Sequence, residues 1–400
     1  MAGDSPTLGD VIRRFTGALL HRRGARVTPA QHAVLWTLGR CHTAALGGYV
    51  RRCDHCGAEH PSFNGCGNRH CPSCLGERSA EWLRDRSAEL LPVPYFHVVF
   101  TVPSEIAALT LGNKEAMFTI LFRAASETLL EIGADPEHLG ARLGFLAILH
   151  TWTQTLDFHP HLHCIVPGGG PSLDGTRWVS ARPPYFLPYK VLSRRFRTKF
   201  LDALVAAEQA GEIRFGGSTA KLGDAQRFAD FVAEQRAKDW VVYLKPPFGS
   251  PEQVLKYLAR YTHRVAISDG RILEIGDETV RFAYRDRANG NSKREMTLDG
   301  VEFLRRFLLH VLPSHFVRIR YYGFLGSRGR ADNLARCREL IGASGCEIPA
   351  DPACASETER EREPKDRCPT CGVGTLFVVA ELGPEAWDPG RVPWKPWDTS

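Results

Sequence analysis

Helical and strand-like patterns of apolar residues alternate along the first third of the chain. Apolar residues at helical spacing predict a short helix within residues 7–40, and residues 79–91 predict another. Two more helical patterns follow between residues 104 and 132. Before them, YFHVVFTV at residues 95–102 has the composition of a strand, which Pro103 ends.

The middle of the chain is richer in strand patterns. Residues 143–166 predict two strands separated by the turn-like segment Asp157–Pro160, and residues 168–170 (GGG) then interrupt the pattern. The elements expected after this point are a strand at 240–244, a helix from Pro251 to Tyr261, and strands at 265–275 and 280–284.

Residues 41–74 cannot form an ordinary apolar core, because they are rich in Cys, His, Gly and Asn and contain few large apolar residues. They contain two Cys-x-x-Cys pairs, Cys53/Cys56 and Cys71/Cys74, separated by fourteen residues. Such pairs are typical ligands of one tetrahedral Zn²⁺ ion, and zinc binding supplies folding free energy that a small apolar core does not. We therefore predict a structural zinc site formed by these four cysteines.

Other cysteines and histidines leave further sites open. Six residues near the two pairs could complete or extend the site: Cys41, His42, His55, His60, Cys66 and His70. Near the C-terminus, Cys368 and Cys371 form half of a second zinc site, which could be completed by Cys337, Cys346 or Cys354. Cys164 lies within a strand pattern and is expected to be a small buried apolar residue.

Charge is unevenly distributed along a chain of ordinary composition. Of the 400 residues, 43% are hydrophobic and 24% are charged, and the net charge is +6, which is typical of a globular protein and does not identify a partner. Residues 175–201 contain seven basic residues and no acid, and residues 301–340 contain eight arginines and three acids. Both blocks also contain aromatic residues, a combination that favours single-stranded nucleic acid but also occurs on ordinary solvated helices.

His161 and His163 are two residues apart in the second predicted strand and therefore point to the same face. If Asp157–Pro160 forms a four-residue turn, Gln154 lies opposite His163 and shares that face, with His150 on the same face but farther away. The two histidines and Gln154 would then bind one divalent cation and leave coordination positions for a phosphate oxygen. A change of one residue in the loop length would reverse the face of Gln154.

Tyr257 and Tyr261 are four residues apart in a predicted helix, so both hydroxyls can face one site. A tyrosine that attacks a phosphodiester forms a phosphotyrosine and conserves the bond energy for rejoining. The phenol needs a polarised phosphate to react near neutral pH, which links this pair to a metal site. Lys256, Arg260 and Arg264 add positive charge beside the tyrosines, and on its own this pattern also fits simple helix packing.

No segment predicts export or membrane insertion. Residues 1–9 lack the basic start and apolar centre of a secretory signal, and no window reaches 18 uninterrupted apolar residues. We therefore expect a cytoplasmic protein without a membrane partner, in which clustered cysteines bind metal rather than form disulfides. Residues 355–367 are almost all charged or small and predict a solvated linker.

Five separated motifs resemble, in the same order, the two-tyrosine HUH transposases of insertion sequences, and more narrowly those of the IS-ninety-one type. The motifs are the zinc module at 41–74, LLPVPYFHVVFTVP (90–103), HTWTQTLDFHPHLHCIVPGGG (150–170), YLARYTHRVAIS (257–268) and HVLPSHFVRIRYYGFL (310–325). The resemblance covers about residues 30–330. It implies an α+β fold, with an antiparallel-sheet HUH endonuclease core of the ferredoxin-like palm type behind a small N-terminal zinc-binding domain.

Together with the patterns above, the resemblance divides the chain into four parts. These are a helical lead-in (1–40), a zinc-binding DNA-recognition domain (41–90), a two-tyrosine nuclease core (91–325), and a C-terminal part with a basic segment, the charged linker and the zinc half-site (326–400).

The resemblance also implies the activity. The chain would be a rolling-circle transposase that nicks and rejoins single-stranded DNA at the ends of an insertion sequence through 5′-phosphotyrosine intermediates on Tyr257 and Tyr261. Mg²⁺ or Mn²⁺ would be bound by His161, His163 and Gln154, and Zn²⁺ by the N-terminal domain. The partners would be single-stranded DNA at the element termini and target DNA in the nucleoid, with the formation of a homo-oligomer left open. The basic residues expected to contact DNA are Arg194, Arg195, Arg197, Lys256, Arg260, Arg264, Arg318 and Arg320.

Three other functions remain open. A plasmid rolling-circle replication initiator or a relaxase would use the same chemistry, although the zinc module before the core favours transposition. A DNA-binding zinc protein with an inert HUH site is disfavoured because His161, His163, Tyr257 and Tyr261 are all present. A metal-dependent hydrolase would leave the two tyrosines unexplained.

Overall fold

The computed structural model describes residues 5–23, 26–75, 87–181, 186–245, 248, 253–254, 266–286, 289–344 and 367–384. Several predictions fall outside them: the segment with Tyr257, Tyr261, Lys256, Arg260 and Arg264, most of the helix at 79–91, Cys346 and Cys354, and nearly all of the linker at 355–367.

Helices and antiparallel strands are mixed along the described chain, which confirms the α+β prediction. The helices are α1 (Leu8–Arg23), α2 (Pro29–Gly39), α3 (Ser104–Gly112), α4 (Lys114–Ala134), α5 (Tyr189–Gln209), α6 (Ala225–Ala237), α7 (Gly300–Leu308) and α8 (Arg330–Ala343). The strands are β1 (Gly48–Cys53), β2 (Glu59–Phe63), β3 (Tyr95–Thr101), β4 (Gly144–Trp152), β5 (Phe158–Pro167), β6 (Gly169–Pro171), β7 (Trp178–Ser180), β8 (Val242–Lys245), β9 (Ile272–Ile275), β10 (Thr279–Asp286), β11 (Ser292–Asp299), β12 (Ile319–Gly323) and β13 (Leu376–Leu382).

A five-stranded antiparallel sheet in the order β12-β4-β5-β3-β8 occupies the centre of the molecule. Alternate residues of β3, β4 and β5, among them Phe96, Phe145 and Leu162, form an apolar face that packs against α3, α4, α5 and α6. The opposite face carries apolar residues such as Ile148 and Ile165, which pack with α8. We call these the helix-covered face and the α8 face.

Among the described residues, two three-stranded sheets and the two-stranded sheet β6-β7 accompany the five-stranded one. The sheet β9-β10-β11 shares an apolar cluster with α1, α2 and α7, and Cys41 and Cys71 belong to the same cluster. The sheet β13-β1-β2 joins a strand near the C-terminus to a hairpin near the N-terminus. Through these contacts, the cysteine-rich segment is attached to elements from distant parts of the chain.

Most strand predictions are confirmed, with differences at the element ends. The strand predicted at 95–102 is β3, and the two helical patterns after it are α3 and α4. The strand predicted at 265–275 is limited to β9, because the residues before it form a 3-10 turn at Asp269–Arg271. Cys164 is fully buried on the helix-covered face, as predicted for a small apolar residue.

Candidate metal centre and DNA-binding face

Three histidines from β4 and β5 converge on the α8 face of the central sheet. The register pairs His150 with His161 and Ile148 with His163, so all three imidazoles share this face. One ring nitrogen from each histidine lies within 4.8 Å of the others. The ring centroids of His150 and His163 are 4.4 Å apart, and those of His161 and His163 are 4.8 Å apart. This spacing allows one metal ion to be bound by three imidazoles.

The predicted pairing of Gln154 with His163 is wrong. The predicted turn Asp157–Pro160 does not form, because β5 already begins at Phe158 and the connecting loop is 153–157. Gln154 therefore lies in the loop, and His150 takes the third position in the cluster.

Hydrogen bonds within the loop 153–157 and a contact from Arg271 hold the loop in place. The backbone N–H of Thr153 donates to the carbonyl of Asp157, and the backbone N–H of Asp157 donates to Thr153 Oγ1, both at 3.0 Å. Leu156 is fully buried with a φ of 65°, and Arg271 donates to the carbonyl of Gln154. A contact from more than one hundred residues away thus helps to set the loop length that determines the register.

Hydrogen bonds orient two of the three imidazoles. His161 Nδ1 donates to the carbonyl of His159 over 2.6 Å, so the lone pair of this ring is on Nε2. His163 Nδ1 and His97 Nε2 are 2.7 Å apart, and the two rings are stacked with centroids 4.9 Å apart. When His163 donates this hydrogen bond, its Nε2 also carries a lone pair. His97 on β3 therefore has the position of an outer partner of a metal ligand, and the sequence patterns did not single it out.

Burial favours the neutral form of His163, which is the form that binds metals. His150 and His163 are 3% and 6% exposed. Burial, and then the neighbouring His150, lower the pKa of His163 well below its usual value. Three neutral imidazoles fit a first-row divalent cation, whereas Mg²⁺ prefers oxygen ligands. The donor set therefore fits a divalent metal but fits Mg²⁺ less well than was expected with Gln154 as a ligand.

The edge strand β8 adds an aromatic and a basic side chain to the same face. Lys245 is paired with His97, and Tyr243 is paired with Val99, which itself lies opposite His163. Paired residues share a face, so Tyr243 and Lys245 lie on the α8 face beside the histidines. Tyr243 is 53% exposed. The sequence patterns predicted this strand but gave its side chains no role.

The predicted DNA-contacting arginines of α5 lie on the other side of the sheet. Helix α5 packs against the helix-covered face, away from the histidines. Arg194 is exposed there, Arg195 is 2.9 Å from Glu131, and Arg197 donates to the carbonyl of Lys238. The structure therefore does not bring these three residues to the metal centre.

The predicted DNA-contacting arginines near β12 are engaged in the protein. Arg320 lies over the ring of Phe122 at 4.2 Å on the helix-covered face. Arg318 lines a small cavity with Leu149 and Thr151, and burial lowers its pKa to about 10. Neither arginine lies beside the histidine cluster on the α8 face.

The residues on either side of the segment 255–265 are buried in two different apolar clusters. Val254 is fully buried in the α8-face cluster that includes Ile148 and Ile165, the neighbours of the histidines along β4 and β5. On the other side, Ala266 is buried in the cluster formed by α1, α2 and α7.

Eight of the ten described cysteines form two clusters, so the predicted single site of Cys53, Cys56, Cys71 and Cys74 is wrong. The first cluster consists of Cys41, Cys66, Cys71 and Cys74, and the second of Cys53, Cys56, Cys368 and Cys371. The reason is the position of Cys53 at the end of β1, which is paired with β13, the strand that follows the pair Cys368/Cys371. The completion of the C-terminal half-site by Cys337 is also wrong, because Cys337 is buried in the α8-face cluster.

The first cluster has the spacing of a tetrahedral thiolate site. Cys41 Sγ is 3.4 Å from Cys74 Sγ and 3.5 Å from Cys71 Sγ, and Cys66 Sγ is 3.8 Å from Cys74 Sγ. A disulfide would need about 2.05 Å. Thiolates around zinc, with Zn–S of about 2.3 Å, are about 3.8 Å apart. Cys41 and Cys66 therefore complete the pair Cys71/Cys74. The sequence pattern had left open whether these two cysteines bind metal.

Comparison with known proteins identifies the family. A family model described as "Transposase zinc-binding domain", of the IS91 type, matches residues 11–102, and one described as "Putative transposase" matches residues 144–332. The protein "Putative transposase y4qJ" from Sinorhizobium fredii (strain NBRC 101917 / NGR234) is 47% identical over 411 residues, covering 100% of both chains. The chain belongs to the IS91-type transposases. This transposase is also 27% identical to "Transposase for insertion sequence element IS801" from Pseudomonas savastanoi pv. phaseolicola, over 75% of this chain and 72% of that protein.

Solved structures add little to this identification. The conjugative relaxase TrwC in complex with oriT DNA covers 63% of this chain and 72% of its own, with 13% identity and a TM-score of 0.25. Its metal-bound structure has 15% identity and the same TM-score. At this TM-score the similarity supports no argument about fold or activity.

The family assignment establishes the general properties of the protein. The IS91-type transposase acts on DNA, and its N-terminal domain binds zinc. None of the helices in the described ranges is long and apolar enough to cross a membrane.

Proposed function

We propose that the transposase nicks and rejoins single-stranded DNA through 5′-phosphotyrosine intermediates on Tyr257 and Tyr261, as a step of rolling-circle transposition. The observation that carries this proposal is the convergence of His150, His161 and His163 on one face of an antiparallel sheet. Three neutral imidazoles at this spacing are suited to a divalent cation that keeps open positions for substrate oxygens.

The anchoring of the chain before the tyrosines supports their part in the proposal. Tyr257 follows the buried Val254 by three residues, and three residues of extended chain span at most about 11 Å. Since Val254 packs in the α8-face cluster, a short stretch of chain is sufficient to bring a phenol to the face that carries the histidines.

His150, His161 and His163 would hold the cation, which we propose is Mn²⁺. When bound, such a cation would polarise a phosphate oxygen and stabilise the charge that develops there. The chain's contribution is to hold the ligands in one geometry. The rings of Trp152 and His150 are stacked with centroids 4.5 Å apart, and His97 fixes the orientation of His163. Side chains held in this way cost less to order when a metal binds.

The proposed step is a transesterification. A tyrosine phenol loses its proton and its oxygen forms a bond to phosphorus, while the bond from phosphorus to the 3′ oxygen breaks. The 3′ oxygen takes up a proton, which leaves a 3′ hydroxyl on one DNA end and a 5′-phosphotyrosine on the other. Attack by another 3′ hydroxyl reverses the step and frees the tyrosine, so nothing is oxidised or reduced. Two tyrosines permit two linked strand transfers.

The test is a covalent-adduct assay. The transposase is incubated with Mn²⁺ and labelled single-stranded oligonucleotides from both strands of both element ends, and the products are separated in denaturant. We expect an adduct with the native protein, a weaker one with Tyr257→Phe or Tyr261→Phe, and none with the double variant. Tyr189→Phe is the matched control, because Tyr189 is exposed on α5 at the helix-covered face.

Two results would contradict the proposal. An adduct that persists in the double variant would assign the nucleophile to another residue. The absence of an adduct with every oligonucleotide, from native protein that still binds them, would favour a DNA-binding protein with an inert site.

A further inference from the structure

We propose that Cys53, Cys56, Cys368 and Cys371 bind a second structural zinc ion, which fastens β13 to the N-terminal zinc-binding domain. The family model for that domain ends at residue 102 and contains only two of these ligands. The site therefore joins two parts of the transposase that are separated by about three hundred residues.

The distances between sulfur atoms fit a tetrahedral zinc site. Cys53 Sγ is 3.7 Å from Cys371 Sγ, and Cys56 Sγ is 3.7 Å from Cys368 Sγ. These distances are far too long for disulfides, which need about 2.05 Å. They match the edge of about 3.8 Å that follows from Zn–S bonds of about 2.3 Å in a tetrahedron.

The two Cys-x-x-Cys turns have the same backbone structure. Each is followed by a glycine with positive φ, 74° for Gly57 and 66° for Gly372. In each turn the glycine N–H donates to the carbonyl of the first cysteine, at 3.1 Å for Cys53 and 2.9 Å for Cys368. Only glycine adopts this conformation without strain, so the sequence pattern Cys-x-x-Cys-Gly is a structural requirement of both turns.

Backbone N–H groups also point at the sulfur atoms. Cys53 Sγ accepts hydrogen bonds from the backbone N–H groups of His55 and Cys56, both at 3.4 Å. Cys371 Sγ accepts one from the N–H of Gly374, also at 3.4 Å. Donors aimed at sulfur favour the thiolate, which is the form that binds metals. A Cβ on residue 374 would collide with Cys53 Sγ, so this close approach also requires glycine.

Within the part of the chain that the structure describes, the apolar core around this site is too small to hold β13 by itself. Its buried members are Cys53, Cys368 and Leu376, with Cys371 packed against them. Phe377 and Val378 on β13 are about half exposed, at 48% and 55%. A metal that binds both turns supplies the stabilisation that apolar burial does not.

The first test counts thiolate-bound metal in the full-length transposase. Zinc is replaced by Co²⁺, and the thiolate-to-cobalt charge-transfer band is calibrated against metal content, so that a metal bound only by histidines is not counted. We expect two thiolate-bound ions per native chain and one in Cys368→Ser/Cys371→Ser. The matched control is Cys337→Ala, which removes a buried cysteine outside both clusters and should leave two.

The second test needs no substitution and is therefore independent of whether the double variant folds. The native protein, purified with its zinc, is treated with an alkylating reagent, and Cys368 and Cys371 are followed by mass spectrometry. We expect both thiols to be protected until a zinc chelator is added. In the first test, the proposal would be overturned by one thiolate-bound ion per native chain, by two in the double variant, or by iron in place of zinc. In the second test, it would be overturned by alkylation that does not depend on the chelator. These measurements do not involve DNA cleavage, so they stand apart from the adduct assay.

Discussion

The side chains around the three histidines determine which ring nitrogen can bind a metal. The carbonyl of His159 fixes the tautomer of His161 directly. For His163 the corresponding partner is another histidine, His97, which is 1% exposed on the neighbouring strand. A strand pattern alone could not reveal this role, because it depends on which strand lies beside β5.

We predict that His97→Ala weakens Mn²⁺ binding by about 10- to 100-fold, the usual effect of removing a partner of a metal ligand. His97→Gln should recover part of the affinity, because its amide oxygen can accept the hydrogen bond from His163 Nδ1. Titration calorimetry measures both, with His138→Ala, an exposed histidine outside the cluster, as the control. Equal Mn²⁺ affinities of His97→Ala and the native protein would contradict the role of His97 as a partner of His163.

Among the described residues, β8 is an edge strand of the central sheet and pairs with β3, which carries His97. On the α8 face, Tyr243 and Lys245 of β8 combine an exposed ring with a positive charge, which suits the bases and backbone of a single strand. The basic-aromatic block at 175–201 predicted such a surface on α5 instead. Arg195 and Arg197 of this block contact other parts of the protein, and DNA binding by α5 stays a prediction.

We predict that Tyr243→Ala costs about 1–3 kcal/mol of binding free energy for a labelled single-stranded oligonucleotide, the usual effect of losing a stacked base. Fluorescence anisotropy measures this loss. Tyr189→Ala, which removes an exposed ring from α5, is the matched control and should bind as the native protein does. If Tyr189→Ala weakened oligonucleotide binding more than Tyr243→Ala, the DNA would be placed on the helix-covered face.

In the hairpin of β4 and β5, the sequence pattern predicted two of the three clustered histidines but not the third. Alternation along β5 correctly placed His161 and His163 on one face, because this depends only on the strand period of two. The third ligand depended on the loop, and the loop is set by Thr153, Asp157 and the distant Arg271. One misplaced turn was enough to exchange His150 for Gln154.

At the scale of the whole molecule, the cysteine-rich segment is joined to the core and to the C-terminal strand. The zinc chemistry could be predicted from the Cys-x-x-Cys pairs, but the grouping could not. The partners of Cys53 and Cys56 lie more than three hundred residues away, and the pairing of β1 with β13 brings them together. Spacing along the sequence carries no information about such a pairing.

Arg69 ties the cysteine-rich segment to the core, because it donates hydrogen bonds to the carbonyls of Pro313 and Phe316. We predict that Arg69→Ala lowers the free energy of unfolding by about 2 kcal/mol, since two partly buried carbonyls lose a charged donor. Urea denaturation measures the change. Arg123→Ala, which removes an exposed ion pair with Glu127, should cost less than about 1 kcal/mol. An equal effect of the two variants would contradict this role of Arg69.

The proposed function requires that the face carrying His150, His161 and His163 presents DNA to Tyr257 and Tyr261. Mass-spectrometric mapping of the nucleotide-modified peptide from the native covalent adduct tests it most directly. We expect a phosphate-linked nucleotide on Tyr257 or Tyr261. A modification on any other residue, Tyr243 included, would contradict it.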